Sequence, residues 1–299
     1  MTETVRTVDE VAVASEDVTA VEPRTSRSWW RLLVLLIGAL VFVFPFYYMI
    51  VGSLQKQSNT SLSGVLPRPS NITLHNYGEI NAALSLGKAL INSGIFTGGV
   101  LLATVVFGVL AGYALAQLRF RGRGLLFVMM LLLLMVPFQL LIIPLYVLIV
   151  RNYGLGNSYL GMIAPFAINS TAVFIFRQYF LQLPKELFDA ARIDGANELR
   201  ILTRIALPLV RPALLTAMLL TFIGPWNEYL WPFLITKQQS MQPLAVALAN
   251  YMNTVQSTVS NPFGTILAGA FVLAVPAVVL FLAFQRYFVA PNIGSAVKG

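Results

Sequence analysis

Between Leu32 and Leu54 the chain carries no charged side chain, and five more stretches are nearly as bare. They are Ala89–Leu118, Gly124–Val150, one within Tyr159–Phe176, one within Ile205–Ile235, and about Phe263–Gln285. At 1.5 Å per residue, about 20 residues of helix cross a hydrocarbon core of roughly 30 Å. All six stretches are long enough, the fourth only just. Apolar runs of this length read as membrane helices. Composition agrees: 57% of residues are hydrophobic and only 11% charged, with a mean hydropathy of +0.75. Soluble domains carry roughly 25% charged residues. The expected fold is all-α, a polytopic membrane protein with six transmembrane helices.

The charges that remain divide the chain. Residues 1–28 hold six acids and no apolar run, which reads as a disordered cytoplasmic tail. It lacks the layout of a secretory signal. Residues 29–87 contain the first helix and an outer loop, residues 88–290 a five-helix core, and residues 291–299 a cytoplasmic C-terminal tail. With the amino terminus inside, inner segments carry 15 Lys and Arg and outer segments 5, so both termini face the cytoplasm of a plasma (inner) membrane. The same rule explains the net charge of +8 without nucleic acid. With no Cys and only His75, disulfides, thiolate chemistry and His-clustered metal sites are excluded. No nucleophile–base pair and no phosphate-cradling Gly-rich loop is visible, so no residue reads as catalytic or metal-binding.

One segment within the core breaks the apolar pattern. Pro184–Pro212, PKELFDAARIDGANELRILTRIALPLVRP, holds four of the six acids found beyond Ser28 and five basic residues. Pro184 suits the first position of a helix, with Glu186 and Asp189 near its positive end. Asp194–Gly195 breaks that helix because Gly takes a left-handed backbone without strain. Helix can then resume over Ala196–Ile205. Ala190, Ala191, Gly195 and Ala196 leave a low profile, beside the apolar Leu187, Ile193 and Leu199. Such a helix can lie deep in a partner's groove, or the segment is an ordinary solvated loop.

This segment resembles the cytoplasmic loop of binding-protein-dependent ABC importer permeases. Asp189-Ala190-Ala191, Gly195, Ile205, Leu207 and Pro208 stand at the spacing of that family's signature, with Asp189 replacing its usual Glu. Asn92-Ser93, AGYALAQLRFRGRG at Ala111–Gly124, Pro137, Gln139, Pro144, Tyr146, Gly154-Leu155, Trp226–Tyr229 and the ending Ala296–Gly299 are similar to the maltose-type carbohydrate uptake subfamily. The tail departs from the family where Pro291 and Ser295 replace glycines. The resemblance implies an ABC importer permease fold and a subunit that moves a sugar or related polyol. It implies a second permease, usually a different chain, two ATP-binding subunits that hold ATP and Mg, and an extracytoplasmic solute-binding protein. Glu186, Asp189, Ala190, Ala191, Asp194, Gly195, Ala196, Leu207 and Pro208 would couple to the ATPase, and Lys298 and Gly299 would make tail contacts. A permease for another small solute, or an ion-coupled secondary transporter, is the alternative. The latter would favour paired intramembrane acids.

Six prolines interrupt the spans: Pro45, Pro137, Pro144, Pro225, Pro232 and Pro276. Each removes a helical hydrogen bond and tends to kink the helix. Glu228 is the only acid inside a span. It reads either as a residue of the translocation path, with Gln139, Trp226, Asn227 and Tyr229, or as a hydrogen-bonded packing residue.

Overall fold

The computed structural model describes residues 29–58, 64–254 and 261–289. The two expected tails, with Lys298 and Gly299, lie outside them. The chain divides into two compact units, residues 1–47 and 48–299. Helix α1 (Trp29–Ser53) runs through the division. Its first-unit residues are almost all exposed, as a lipid-facing helix requires. Among the described residues there is no strand beyond one isolated bridge, Gln55 with Ile72.

In the second unit the central post is α3 (Leu86–Gln117), 32 residues and so about 48 Å long. Three apolar centres lie along it. Near its N-terminus, Leu86 and Ala89 pack with α2 (His75–Leu84), α13 (Leu244–Thr254) and Ala268 of α14 (Pro262–Val289). Midway, Phe96 and Val100 meet Met162 of α6 (Tyr159–Ile163) and Trp231 of α12 (Leu230–Ile235). Near its C-terminus, Val109, Tyr113 and Ala116 meet Phe176 and Phe180 of α7 (Ser170–Leu181) and Ala213 and Ala217 of α11 (Arg211–Asn227). The Asn92-Ser93 pair has a structural task. Asn92 Nδ2 donates to the carbonyls of Ser240 and Gln242, both at 3.0 Å, and Ser93 Oγ accepts from Leu244 N at 2.9 Å.

Three helices are long and apolar enough to cross a bilayer alone: α1, α3 and Pro262–Gln285 of α14. The other three crossings exist only as bent pairs, six spans in all if each pair counts once. The run Gly124–Val150 is not one helix. It splits into α4 (Arg123–Leu133) and α5 (Phe138–Tyr146), the latter extended by a π-helical turn, Val147–Asn152, with a 96° bend between the halves. Pro137 is the cause, because it lacks an N–H and biases Val136 away from helical backbone. The fourth crossing bends by 51° between Tyr159–Phe166 and Ser170–Leu181, so it ends beyond the expected Phe176. That places Arg177 in the helix, its guanidinium 3.8 Å from the Phe127 ring centre. The fifth pairs Glu198–Leu209 with Arg211–Asn227 across an 80° bend at Val210, so its longer apolar arm lies within the expected Ile205–Ile235.

The prolines act unequally. Pro45, Pro144, Pro225 and Pro276 sit inside helices that continue past them. Pro232 occupies the first turn of α12, where an N–H would have had no helical partner.

Close approach of α3 and α7 depends on Gly112. A β-carbon there would lie 2.6 Å from the Phe176 β-carbon and 3.1 Å from the Arg177 nitrogen, whereas one at Gly98 meets nothing within 4 Å. Gly112→Ala should therefore lower the midpoint of thermal unfolding in detergent, at a cost of about 1–3 kcal/mol from overpacking. Gly98→Ala should leave it unchanged, and equal effects would refute the contact.

Candidate functional site

The charged segment folds as a helical hairpin. Pro184 is the residue before α8 (Lys185–Ile193), one position earlier than expected, with ψ 131°. Helix α8 closes in a Schellman motif: Ala196 N donates to Ala191 O at 2.9 Å and Gly195 N to Arg192 O at 3.1 Å. Gly195 has φ +77°, the left-handed backbone expected of it. Asn197 then caps α9 (Glu198–Ile201), its side chain accepting from Arg200 N at 2.8 Å. Helix thus resumes two residues later than expected, and continues through a π-helical stretch, Leu202–Ala206, into α10 (Leu207–Leu209). An Asn at this place favours a helix start; the sequence reading passed over it.

The hairpin is rooted in the protein. Phe188, Ala191, Ile201 and Ala206 are buried in the apolar centre at the C-terminal end of α3. Opposite them, Ile193 is 86% exposed and Leu199 63% exposed. The expected coupling residues therefore separate. Glu186, Asp189, Ala190, Asp194, Gly195 and Pro208 are exposed, Ala196 is half-buried, and Ala191 and Leu207 pack against the core.

A polar chain fixes the hairpin to α3. Tyr113 Oη donates to Glu198 Oε2 at 2.6 Å, Arg192 Nε donates to Glu198 Oε1 at 2.8 Å, and an Arg192 terminal nitrogen meets Asp189 Oδ1 at 3.0 Å. The short Asp189 stem still reaches its cation. The hydrogen bond from Arg192 holds the Glu198 carboxyl below its ordinary value, helped by Tyr113 and opposed by partial burial. The same bond holds the Arg192 proton more firmly.

A second feature lies at the helix breaks. A cavity of about 370 Å³ is walled by Phe138, Pro225 and other apolar side chains, and its polar lining is Asn169, Ser170, Thr171, Thr221 and Glu228. Glu228 sits between α11 and α12 and accepts from Trp231 N at 3.2 Å. The other expected path residues diverge. Trp226 is buried and donates to Leu273 O at 2.9 Å, Asn227 bonds its own helix at Ile223 O, and Tyr229 stacks on Phe233. Gln139 is exposed on α5. The polar run Asn169–Thr171, set inside an apolar stretch, was a visible signal; Thr221 offered none. Among the described residues no three His, Cys, Asp or Glu stand close enough to hold a metal.

Residues 104–290 match the model of the binding-protein-dependent transport system inner membrane component family. The chain belongs to this family. It is 36% identical over 275 residues to the arabinooligosaccharides transport system permease protein AraQ of Halalkalibacterium halodurans, covering 91% of this chain and 97% of that one. It is 34% identical to the sn-glycerol-3-phosphate transport system permease protein UgpE of Yersinia pestis bv. Antiqua, covering 90% and 97%. Its fold is similar to a solved bacterial ABC transporter involved in the import of the acidic polysaccharide alginate. That match has a TM-score of 0.74 and 26% identity, and covers 89% of this chain and 98% of that one. The chain is a multi-pass permease subunit of an ABC importer, and family membership makes it a transport component rather than an enzyme. Members work with another permease, an ATPase and a solute-binding protein.

Because the Glu198 carboxyl is held low, its contribution to hairpin stability is full above the unfolded value near 4.5 and is lost as pH falls through the lower folded value. Carbon-13 NMR of glutamate-labelled protein should place the Glu198 midpoint below 4.5 in the wild type and higher in Arg192→Gln. An unmoved midpoint would disprove the coupling.

Proposed function

We propose that this subunit imports a neutral sugar or oligosaccharide and that the hairpin of α8 and α9 is the element through which an ATPase subunit drives it. The observation that carries this reading is the bare apolar tip of a charged hairpin. Ile193 and Leu199 lie in the most densely charged segment beyond residues 1–28, where neighbouring lipid cannot cover them. A groove in a partner can, and the turn at Gly195 lets that partner approach closely. Closure of the ATPase on ATP then moves a hairpin rooted on Phe188 and Ile201, and the motion passes to α3, α7 and α11 through their shared core. ATP and Mg belong to that partner, and differential affinity for two states of the assembly shifts their populations.

Solute would pass the cavity at the helix breaks. Amide, hydroxyl and carboxylate groups from Asn169, Ser170, Thr171, Thr221 and Glu228 suit a polyhydroxylated solute. Arabinooligosaccharide relatives support a sugar. Glycerol 3-phosphate, the solute in the name of other relatives, is the second reading. A cavity lined by a carboxylate and by no Lys or Arg disfavours that anion on this subunit. The second permease is a different chain in this reading, and both termini face the cytoplasm.

The chain has no native cysteine, so Ile193→Cys supplies a single label site. A membrane-impermeant maleimide should modify it only from the cytoplasmic side, and assembly with the ATPase should protect it. Labelling from outside, or unchanged labelling in the full complex, would sink the docking role. A second series separates backbone from bulk. Gly195→Val should insert into the membrane yet lose solute-stimulated ATPase activity, since a β-branched residue at φ +77° is strained. Gly195→Asn, which tolerates that backbone, should retain more of it, and normal coupling in the Val variant would count against the hairpin.

A further inference from the structure

A cavity of about 480 Å³ opens between the connection of α3 to α4 and the hairpin. Its charged lining is Arg119, Arg123, Lys185, Arg192, Asp189 and Glu198. Arg192 engages both acids, at 3.0 and 2.8 Å. Among the described residues, Arg119, Arg123 and Lys185 then have no carboxylate within 4.0 Å. Arg123 spends one N–H on Leu118 O at 3.0 Å, which holds the connection in place and leaves its other donors free. Three of the four cations lining the recess thus touch no carboxylate, and the lining carries four positive charges against two negative ones. Like charges gathered in one recess repel, and an anion relieves that cost.

We propose that this cavity is a binding site for a phosphate group, and that the bound phosphate ties the hairpin to the end of α3. Guanidinium groups match phosphate oxygens by paired N–H donors, and Lys185 adds a point charge. The recess is far larger than one phosphate, so a substituent on the phosphate also fits. Two sources share this chemistry: the headgroup of an anionic lipid and a soluble phosphate. The adjoining face of α4 carries Leu125, Val128, Met129 and Leu132, each at least 50% exposed, a surface along which acyl chains can lie. Basic pockets between membrane helices hold anionic headgroups in this manner. Because the phosphate would bridge Arg119 and Arg123 to Lys185 at the first turn of α8, its occupancy would change how firmly the hairpin follows α3. The site would act whichever solute is carried.

The test uses the transporter complex with its partner subunits, in phosphatidylcholine nanodiscs with and without phosphatidylglycerol. Native mass spectrometry reads retained phosphatidylglycerol, equilibrium binding of labelled orthophosphate reads the soluble source, and solute-stimulated ATPase activity reads the consequence. The double variant Arg119→Gln, Lys185→Gln should lose retention or binding by roughly tenfold or more, as two charge contacts at a membrane surface imply. Arg211→Gln, a basic residue outside the cavity, should lose neither. Retention of phosphatidylglycerol assigns the lipid, and orthophosphate binding alone assigns the soluble source. Equal behaviour of the double variant and the wild type, or an equal loss in Arg211→Gln, overturns the site. If the double variant does not assemble, acetylation of the wild-type complex decides. Phosphatidylglycerol or orthophosphate must shield Lys185 while leaving Lys56 unchanged, and equal modification of Lys185 with and without the anion overturns the proposal.

Discussion

The approach of α3 to α7 at Gly112 governs how the remaining helices can assemble. A missing β-carbon lets Phe176 lie against the α3 backbone, and that ring is the plug of the apolar centre beneath the hairpin. Phe180, Phe188, Ile201 and Ala213 belong to the same centre, from four different helical segments. Helix association in a bilayer gains little from the hydrophobic effect between helices, because lipid is as apolar as Leu. Close packing of small residues supplies much of the attraction instead. The close approach at Gly112 therefore brings the apolar centre of the hairpin against the packed faces of α3 and α7.

The breaks in the helices answer a different constraint. A bent span frees backbone carbonyls and N–H groups, and in hydrocarbon these must be satisfied by protein or water. Two of the three bends, those of the third and fourth crossings, and the break between α11 and α12 border one cavity, and side chains take over some of the lost bonds. Glu228 accepts from Trp231 N at the break between α11 and α12. Asn169 accepts from Ala172 N where the fourth crossing bends. The groups that repair the backbone are thus the same groups that line the space through which a solute would move. Glu228 accepts a hydrogen bond at the start of α12, as the packing reading expects, and it also lines the cavity.

Legibility in the sequence followed the range of the interaction. The straight helices α1, α3 and α14 were evident from apolar length alone. So was the turn at Gly195, which rests on backbone freedom within four residues. The third crossing reads as one span with a kink at Pro137, but hydropathy carries no record of the angle, which the structure sets at 96°. Tyr113 bonds Glu198 across 85 positions, and no local pattern records that. Trp226, Asn227 and Tyr229 are adjacent to Glu228 in the chain, yet the helix break points them to α14, to their own helix and to Phe233. Neighbours at a break do not share a face, so adjacency in the chain does not record their separate partners.

The sequence by itself determined the solvent in which the chain must fold, the number of candidate crossings, the place of the charged hairpin and the left-handed turn at its tip. All of these follow from transfer of side chains out of water and from backbone sterics within a few residues. Tertiary structure alone decided which of those residues became surface and which became root. Ala190 and Ala191 are chemically identical neighbours, but a helix turns about 100° per residue, and only packing into the apolar centre at the end of α3 fixes which of the two faces inward. The cavity at the breaks and the three unpaired cations beside the hairpin likewise exist only once distant segments have met.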